Sequence, residues 1–344
     1  MEYRTLGRTG INVSSLCLGA MMFGPWGNDD GDECVRMVHT ALDAGVNFID
    51  TADVYSFGRS EEVVGRALAD GRRDDVVLAT KFHNGMGDDV NMRGNSRRWV
   101  MRAVEDSLRR LQTDWIDLYQ VHRPDPSTDI DETLSALSDL VHQGKVRAIG
   151  TSTFPASALV EAQWASSRRG FERFTTEQPP YSIFARAIEV DVLPVCLSYG
   201  IGTIVWSPLN GGWLTGKYRR GAAPPSGSRA AREPDHFDYG EAAARERKLD
   251  LVDSLSKVAA DAGLSLTHLA QAWVLEHPAV VSGIIGPRTP AQLDDVLGAA
   301  DVRLSVDVLD AVDALVPPGT TVNPRDAGYD PPGLDVSARR RPRP

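Results

Sequence analysis

Four ionisable side chains stand at or just beyond the ends of short apolar segments between residues 47 and 122. They are Asp50, Tyr55, Lys81 and His122. A carboxylate, a phenol, an ammonium and an imidazole can hold or exchange protons, so the set suits general acid–base chemistry. A hydrophobic residue would serve stability equally well at the end of a buried strand. Ionisable residues at several strand ends therefore point to function. Asp53 competes for the carboxylate role, but we prefer Asp50 because it falls at the predicted strand end.

The elements that must position these residues form a regular pattern. Eight apolar segments of strand length alternate with segments of helical periodicity, which is typical of a parallel α/β sheet. The predicted strands are Ser15–Gly19, Asn47–Thr51, Val76–Lys81, Trp115–Val121, Val146–Thr151, Phe174–Gln178, Gly202–Ser207 and Val281–Ile285. Eight β/α units imply a closed (β/α)₈ TIM barrel. Barrel enzymes place their chemistry at the carboxyl ends of the strands, where the four ionisable residues fall.

The remaining segments complete the predicted architecture. A β-hairpin is predicted before the first barrel strand, around Tyr3–Leu6 and Ile11–Ser14. The long loop Lys217–Gly240 follows the seventh strand, and its length is typical of a mobile lid. We expect one barrel domain over residues 1–316, then over residues 317–344 a wrapping segment with a disordered basic tip. The helices predicted most clearly are Glu61–Ala69, Arg97–Leu111, Asp129–Gln143, Pro155–Arg169 and Arg245–Ala262.

Composition limits the class of partner. With 42% hydrophobic and 24% charged residues, the 344-residue chain has ordinary globular usage. A formal net charge of −10 argues against a surface built for nucleic acid or anionic lipid and favours small molecules. Cys17, Cys34 and Cys196 are scattered, which suits core thiols in a reducing compartment. We therefore expect a cytoplasmic protein that binds neither nucleic acid nor membrane.

Several motifs together resemble one family. The segments GVNFIDTADVYSFGRSEEVVGRAL, LATKF, DLYQVH, RAIGTS and EQPPYS are similar to the ordered motifs of the aldo-keto reductases, over roughly residues 3–300. The GxxxxGK-like loop and the GxRTPxQ pattern resemble the bacterial and potassium-channel-β-subunit-like branch. The resemblance implies a catalytic tetrad, and its members fall on Asp50, Tyr55, Lys81 and His122.

The resemblance also implies a role for each member of the tetrad. Reduction of a carbonyl develops negative charge on its oxygen, which then needs a proton donor and an electrostatic stabiliser. Tyr55 would donate the proton, with the neighbouring Lys81 ammonium favouring the phenolate. Asp50 would keep Lys81 charged and in place, while His122 would orient the substrate oxygen.

The same resemblance assigns residues to NADP(H). Trp206 would stack on the nicotinamide, with Ser152 and Gln178 bonding its carboxamide, and the loop WSPLNGGWLTGKY would wrap the pyrophosphate. Arginine donates bidentate, charge-assisted hydrogen bonds to phosphate, so Arg288 favours NADPH over NADH. Thr153 and Val296 depart from the family pattern, where asparagine is common, and weaker cofactor affinity is expected. The full expected cofactor set is Ser152, Gln178, Trp206, Ser207, Leu209, Lys217, Arg288, Gln292 and Asp295.

Substrate selection is expected from loops above the tetrad, which would form an apolar, aromatic mouth for a small-molecule carbonyl compound. Met22, Trp26 and His83 are the preferred substrate residues. The further candidates are Phe23, Phe82, Phe237 and Tyr239.

Other nucleotide and metal sites have weaker support. No GxGxxG turn occurs, which disfavours a Rossmann fold. Gly211–Lys217 satisfies GxxxxGK, but Tyr218 stands where a P-loop needs Ser or Thr for magnesium. The seven histidines are scattered without HExxH spacing, so no metal site is predicted.

Two other functions stay open at this point. In the first alternative, the chain is a cofactor-sensing regulatory subunit with negligible turnover. An intact tetrad argues against this alternative. A Schiff-base aldolase would use Lys81 as the nucleophile, since desolvation can activate a buried lysine. The neighbouring Asp50 should instead keep Lys81 protonated.

Overall fold

A closed parallel barrel is the centre of the fold, seen in a computed structural model that describes residues 1–233 and 238–341. Within these residues eight strands follow one another around the barrel, and the last pairs with the first. This confirms the predicted (β/α)₈ TIM barrel. The strands are β3 Leu16–Gly19, β4 Phe48–Asp50, β5 Val77–Phe82, β6 Ile116–Val121, β7 Val146–Ser152, β8 Thr176–Gln178, β9 Gly202–Val205 and β10 Val280–Ile285.

The predicted N-terminal hairpin is confirmed, and it covers the amino ends of the barrel strands. Strand β1 (Tyr3–Thr5) pairs antiparallel with β2 (Asn12–Ser14). Leu6 and Val13 beside it are buried against the apolar side chains that fill the lower barrel. The approach is close: a Cβ on Gly7, whose φ is +56°, would lie 2.5 Å from the Thr175 carbonyl oxygen. Only glycine fits this position without strain.

Helices lie around the outer face of the barrel and in the loops and terminal segment beyond it. They are α1 Gly31–Asp43, α2 Arg59–Ala67, α3 Arg97–Leu111, α4 Ile130–His142, α5 Ala156–Arg169, α6 Val192–Tyr199, α7 Arg229–Arg232, α8 Ala242–Asp261, α9 Leu266–Leu275, α10 Pro290–Leu297, α11 Val306–Leu315 and α12 Val336–Arg339. Some predicted helix ends differ from those in the structure. Helix α2 begins at Arg59 rather than Glu61, directly after Gly58 in the left-handed region. No helix within the described ranges is long and apolar enough to span a membrane.

Alternation along the strands separates an apolar lower layer of the barrel from a polar upper layer. Phe48, Ala79 and Leu118 point into the barrel and pack together at its lower end. Side chains two positions further along a strand face the same way. Those positions hold Asp50, Lys81 and Gln120 on β4, β5 and β6.

Two segments lie outside the regular βα repeat. The long loop after β9 carries the short helix α7, and its predicted mobility as a lid stays a prediction. Downstream, the chain from residue 317 contacts the barrel loops: Val322 N donates to Phe184 O and Arg186 N to Thr320 O, both at 2.8 Å. Lys248 on α8 also pairs with Asp326 at 2.9 Å. These contacts attach the terminal segment alongside the loops that follow β8 and β9.

Candidate active site

A chain of hydrogen bonds leads from inside the barrel to the space above it. Lys81 is fully buried, and its Nζ donates to Asp50 Oδ1 at 2.5 Å, to Thr51 O at 2.9 Å and to Tyr55 Oη at 3.2 Å. The ammonium also lies 4.9 Å from the centroid of the Tyr55 ring. A positive charge at this distance stabilises negative charge on the tyrosine oxygen. The structure thus brings three of the four predicted tetrad residues into direct contact.

The carboxylate beneath Lys81 is held from a second side. Asp50 Oδ2 accepts hydrogen bonds from Gln178 Nε2 at 2.8 Å and from Gln120 Nε2 at 3.1 Å. Gln178 is therefore tied to the tetrad as well as facing the cavity. Burial alone would lower the pKa of Lys81, but the Asp50 charge and the Tyr55 hydroxyl outweigh it and raise that pKa. Lys81 is consequently a permanent cation near neutral pH.

Asp53, the competing carboxylate, occupies a different environment. Only its backbone N–H faces β5, donating to the Lys81 carbonyl oxygen at 3.1 Å. Its two carboxylate oxygens are buried and have no hydrogen-bond partner among the described residues. Burial, followed by the nearby Glu61 charge, raises the pKa of Asp53 well above its usual range. Asp50, and not Asp53, is the carboxylate that the structure pairs with Lys81.

A strained turn places Tyr55 over the end of the barrel. The chain leaves β4 and enters a short 3₁₀ turn, Tyr55–Gly58, in which Ser56 and Phe57 have φ angles of 48° and 52°. Left-handed backbone is costly for residues other than glycine and is found most often at functional sites. The Tyr55 ring then meets His122 edge-on, with centroids 5.7 Å apart. The turn thereby completes the tetrad at one point above the barrel.

His122 is oriented by a residue that the sequence analysis did not single out. The Asn84 side-chain amide lies 3.2 Å from His122 Nδ1. Because an amide nitrogen can only donate, Nδ1 accepts and the ring proton is on Nε2. Burial, together with the charges of Lys81 and Arg123, lowers the pKa of His122 well below its usual range. His122 is therefore a neutral donor through Nε2.

One cavity of about 760 Å³ opens above these residues. Asp50, Tyr55 and His122 line it, whereas Lys81 lies beneath them. All nine residues expected to bind cofactor also line it, namely Ser152, Gln178, Trp206, Ser207, Leu209, Lys217, Arg288, Gln292 and Asp295. Val296, which departs from the family pattern, contributes to the same wall. The structure thus gathers around one cavity residues nearly 250 positions apart in sequence, from Asp50 on β4 to Val296 on α10.

One side of the cavity is strongly cationic. Lys217 and Arg288 were expected there, and helix α7 of the long loop adds Arg229 and Arg232. Burial lowers the pKa of Lys217, and the charges of Arg229, Arg288 and Arg232 lower it further. Sequence reasoning missed the two α7 arginines because a short helix inside a Gly- and Pro-rich loop leaves no periodic signal.

The expected substrate residues divide between the cavity and the protein interior. Met22 and Trp26 line the cavity, and the exposed Phe57 joins them. His83 does not line it, because its Nδ1 lies 2.9 Å from Asn95 Oδ1 in a loop to the side. Phe23 and Phe82 are fully buried in the core. Tyr239 stacks on Trp213 outside the lining, and Phe237 lies outside the described residues.

A buried acid supports the loop that carries Ser152 and Thr153. Glu177 on β8 accepts hydrogen bonds from Thr151 Oγ1 at 2.5 Å and from the Phe154 backbone N–H at 3.1 Å. These contacts help to hold Thr153 in the left-handed region, at φ 59°. Burial raises the pKa of Glu177 to about 7, although these hydrogen bonds oppose the increase. Glu177 is therefore partly neutral at neutral pH.

We expect Glu177→Gln to remove a pH dependence of stability. The folded protein binds more protons at this site than the unfolded chain between the usual pKa of 4.5 and about 7. Its contribution to the free energy of unfolding therefore falls as pH rises through that window. The wild-type protein should lose up to about 3 kcal/mol relative to the variant between about pH 5 and pH 8. Urea denaturation of both proteins across this range measures the difference, with the exposed Glu161→Gln as control. Parallel pH profiles would contradict the buried titration.

Comparison with known proteins agrees with this geometry. A model of the aldo/keto reductase family matches residues 15–317. The chain is 39% identical over 327 residues to an uncharacterized oxidoreductase, YrpG, of Bacillus subtilis, covering 92% of this chain and 96% of that one. It is 37% identical to the aldo-keto reductase YhdN of the same organism, covering 86% and 87% of the two chains. A probable voltage-gated potassium channel subunit beta of Oryza sativa is 37% identical over 322 residues, covering 92% and 97%. This chain therefore belongs to the aldo/keto reductase family, which supports an oxidoreductase activity.

Proposed function

We propose that the protein reduces an aldehyde or ketone to an alcohol at the expense of NADPH, with Tyr55 as general acid. The observation that carries this proposal is the hydrogen-bonded series Asp50–Lys81–Tyr55, which ends on a tyrosine hydroxyl in the cavity beside His122. An ion pair that served stability alone would not need a further hydrogen bond from Lys81 to a tyrosine that lines the cavity. A proton donor in this place suits a reaction that builds negative charge on a substrate oxygen.

Each tetrad residue has a proposed role in the reaction. Tyr55 Oη transfers its proton to the carbonyl oxygen, and the adjacent Lys81 ammonium stabilises the charge left on Tyr55. His122 Nε2 donates a hydrogen bond to the same oxygen and orients it, since Asn84 holds the ring in that tautomer. Asp50 holds Lys81 in place and balances its positive charge. Such positioned acids typically contribute about 10² to 10⁴ in rate.

The donor set fits a nicotinamide dinucleotide phosphate. Gln271 lines the cavity, and neither atom of its side-chain amide has a hydrogen-bond partner among the described residues. An unpaired buried amide is costly, so a polar ligand group beside it is favourable. The cationic side formed by Lys217, Arg229, Arg232 and Arg288 matches the anionic groups of such a ligand.

We assign the ends of the dinucleotide by the chemistry of the walls. Trp206, Ser152 and Gln178 near the tetrad would hold the nicotinamide, while Ser207, Leu209 and Lys217 would hold the pyrophosphate. Arg288, Gln292 and Asp295 would hold the adenosine phosphate. When bound, the reduced nicotinamide supplies the hydride that the carbonyl carbon accepts. Met22 and Trp26, which also line the cavity, would contact the substrate.

We expect Arg288→Ala to narrow the preference for NADPH over NADH. Only NADPH carries the 2′-phosphate, and a charge-assisted hydrogen bond contributes about 1.5 to 3 kcal/mol. The ratio of the two dissociation constants should therefore shift by about 10- to 100-fold, with NADH binding almost unchanged. Tryptophan fluorescence titration measures both constants, and the exposed Arg168→Ala is the matched control. Equal losses for both nucleotides would indicate collapse of the loop rather than a lost phosphate contact.

The proposed setting is the cytoplasm, with a small-molecule carbonyl compound as partner and neither nucleic acid nor membrane. All three cysteines are free and buried, which suits a reducing compartment.

A regulatory subunit that binds the cofactor with negligible turnover is the second candidate. Its support is the similarity to the probable potassium channel subunit beta of Oryza sativa. NADPH oxidation against a panel of aldehydes and ketones separates the two, with borohydride trapping as control. Turnover without covalent trapping supports the reductase, tight NADPH binding without turnover supports the regulatory subunit, and trapping on Lys81 would support a Schiff-base aldolase instead.

A further inference from the structure

A partly buried arginine lines the cavity beside His122, and the mechanism above does not use it. Arg123 follows β6 immediately after His122 and lines the cavity together with Asn84 and Ser152. The cationic side assigned to the cofactor phosphates consists of other residues. Arg123 is therefore a second, separate positive charge in the same cavity.

The contacts of Arg123 leave most of its guanidinium unused. Nη1 donates to His122 O at 2.6 Å, and more weakly to Thr153 Oγ1 at 3.3 Å and Ser152 Oγ at 3.4 Å. Nε and Nη2 have no acceptor among the residues that the structure describes. Since a guanidinium offers five N–H donors in a fixed fork, the remaining ones are available to a ligand in the cavity.

Arg123 also differs in lacking a counter-ion from three other buried or partly buried arginines. Arg73 pairs with Asp117, Arg110 with Glu61 and Arg186 with Glu189, each within 3 Å. No carboxylate lies within ion-pair distance of Arg123 in the described part of the chain.

The nearest candidates do not balance this charge. The Asp50 carboxylate is already engaged by Lys81, Gln120 and Gln178. Glu177 acts on Arg123 only from beyond contact distance and is itself partly neutral near pH 7. A partly buried cation without a counter-ion is unfavourable, and an anion placed beside it reduces that cost.

We propose that Arg123 determines specificity by binding a carboxylate on the substrate, so that the preferred substrates are aldehydes or ketones that also carry a carboxylate. The inference rests on the proposed reductase function and names its substrate class. A planar carboxylate matches the fork of a guanidinium, and the anchor lies next to His122, which orients the carbonyl oxygen. The cofactor phosphates do not compete for this position, because they are assigned to Lys217, Arg229, Arg232 and Arg288. The nicotinamide assigned to Ser152 carries a neutral carboxamide, which leaves the charge of Arg123 unbalanced.

The test compares para-carboxybenzaldehyde with its methyl ester, which is of similar size but uncharged. We expect the wild-type protein to reduce the acid with the higher kcat/KM. Arg123→Gln should lower the acid-to-ester ratio of kcat/KM by about 10- to 100-fold, the usual effect of one charge-assisted hydrogen bond. Arg123→Lys should restore part of the ratio, and the exposed control Arg169→Gln should leave it unchanged.

A binding measurement keeps the inference separate from the proposed function. Benzoate and benzamide are titrated calorimetrically into the NADPH-loaded wild-type protein and the Arg123→Gln variant. Benzoate binding that depends on Arg123 supports the anion site, whether or not any aldehyde is reduced. If no aldehyde is reduced, only the reductase proposal fails. An unchanged acid-to-ester ratio, equal losses for acid and ester, or benzoate binding that is indifferent to Arg123 would each overturn the inference.

Discussion

Replacing Tyr55 with phenylalanine is expected to lower kcat for carbonyl reduction by about 10² to 10⁴ while NADPH binding is retained. The change removes the hydroxyl that Lys81 contacts at 3.2 Å and leaves the ring in place. The cofactor walls lie elsewhere in the cavity and should keep their contacts. Single-turnover measurement of NADPH consumption reports the chemical step, and fluorescence titration reports cofactor affinity.

A matched control exists within the barrel. Tyr119 on β6 is fully buried and its hydroxyl has no hydrogen-bond partner among the described residues. Tyr119→Phe should therefore leave both the rate and the fold intact. Near-normal single-turnover rates for Tyr55→Phe would remove Tyr55 from the mechanism.

The second large effect is expected on stability. Lys81→Met should lower the free energy of unfolding by about 3 to 5 kcal/mol, because it leaves the buried Asp50 carboxylate without its counter-ion. The double variant Asp50→Leu with Lys81→Met removes both charges and should recover much of this loss, although it remains inactive. Urea denaturation of the single and double variants gives the coupling between the two residues. Additive losses would show that the pair does not act as a unit.

Strand alternation made much of the fold and the meeting of Asp50 with Lys81 predictable, whereas Tyr55 and His122 were assigned by resemblance. In a barrel the inward positions of neighbouring strands converge, so Asp50 and Lys81 at adjacent strand ends had to meet. The bounds were less accurate: β9 ends at Val205, two residues before the predicted end, because Ser207 adopts a left-handed φ of 61°. Such a local backbone choice depends on loop contacts that periodicity does not record.

The missed site residues share a different cause. Asn84, Arg123 and Arg229 lie in loops or a one-turn helix, where side-chain direction depends on tertiary packing. His83 illustrates the same limit, since its backbone at φ 142° directs the ring to Asn95 and away from the cavity. His83 does follow a strand end, but the direction of its side chain cannot be read from that position alone.

The most direct test of carbonyl reduction follows the transferred atom. The protein is incubated with an aldehyde and with NADPH that carries deuterium at C4 of the nicotinamide, prepared separately for each face of the ring. Mass spectrometry then locates deuterium in the product. The account predicts an alcohol that carries deuterium on the former carbonyl carbon with one of the two labelled cofactors, and much less of it from Tyr55→Phe. Failure to form the alcohol, or an alcohol free of deuterium with both labels, would contradict it.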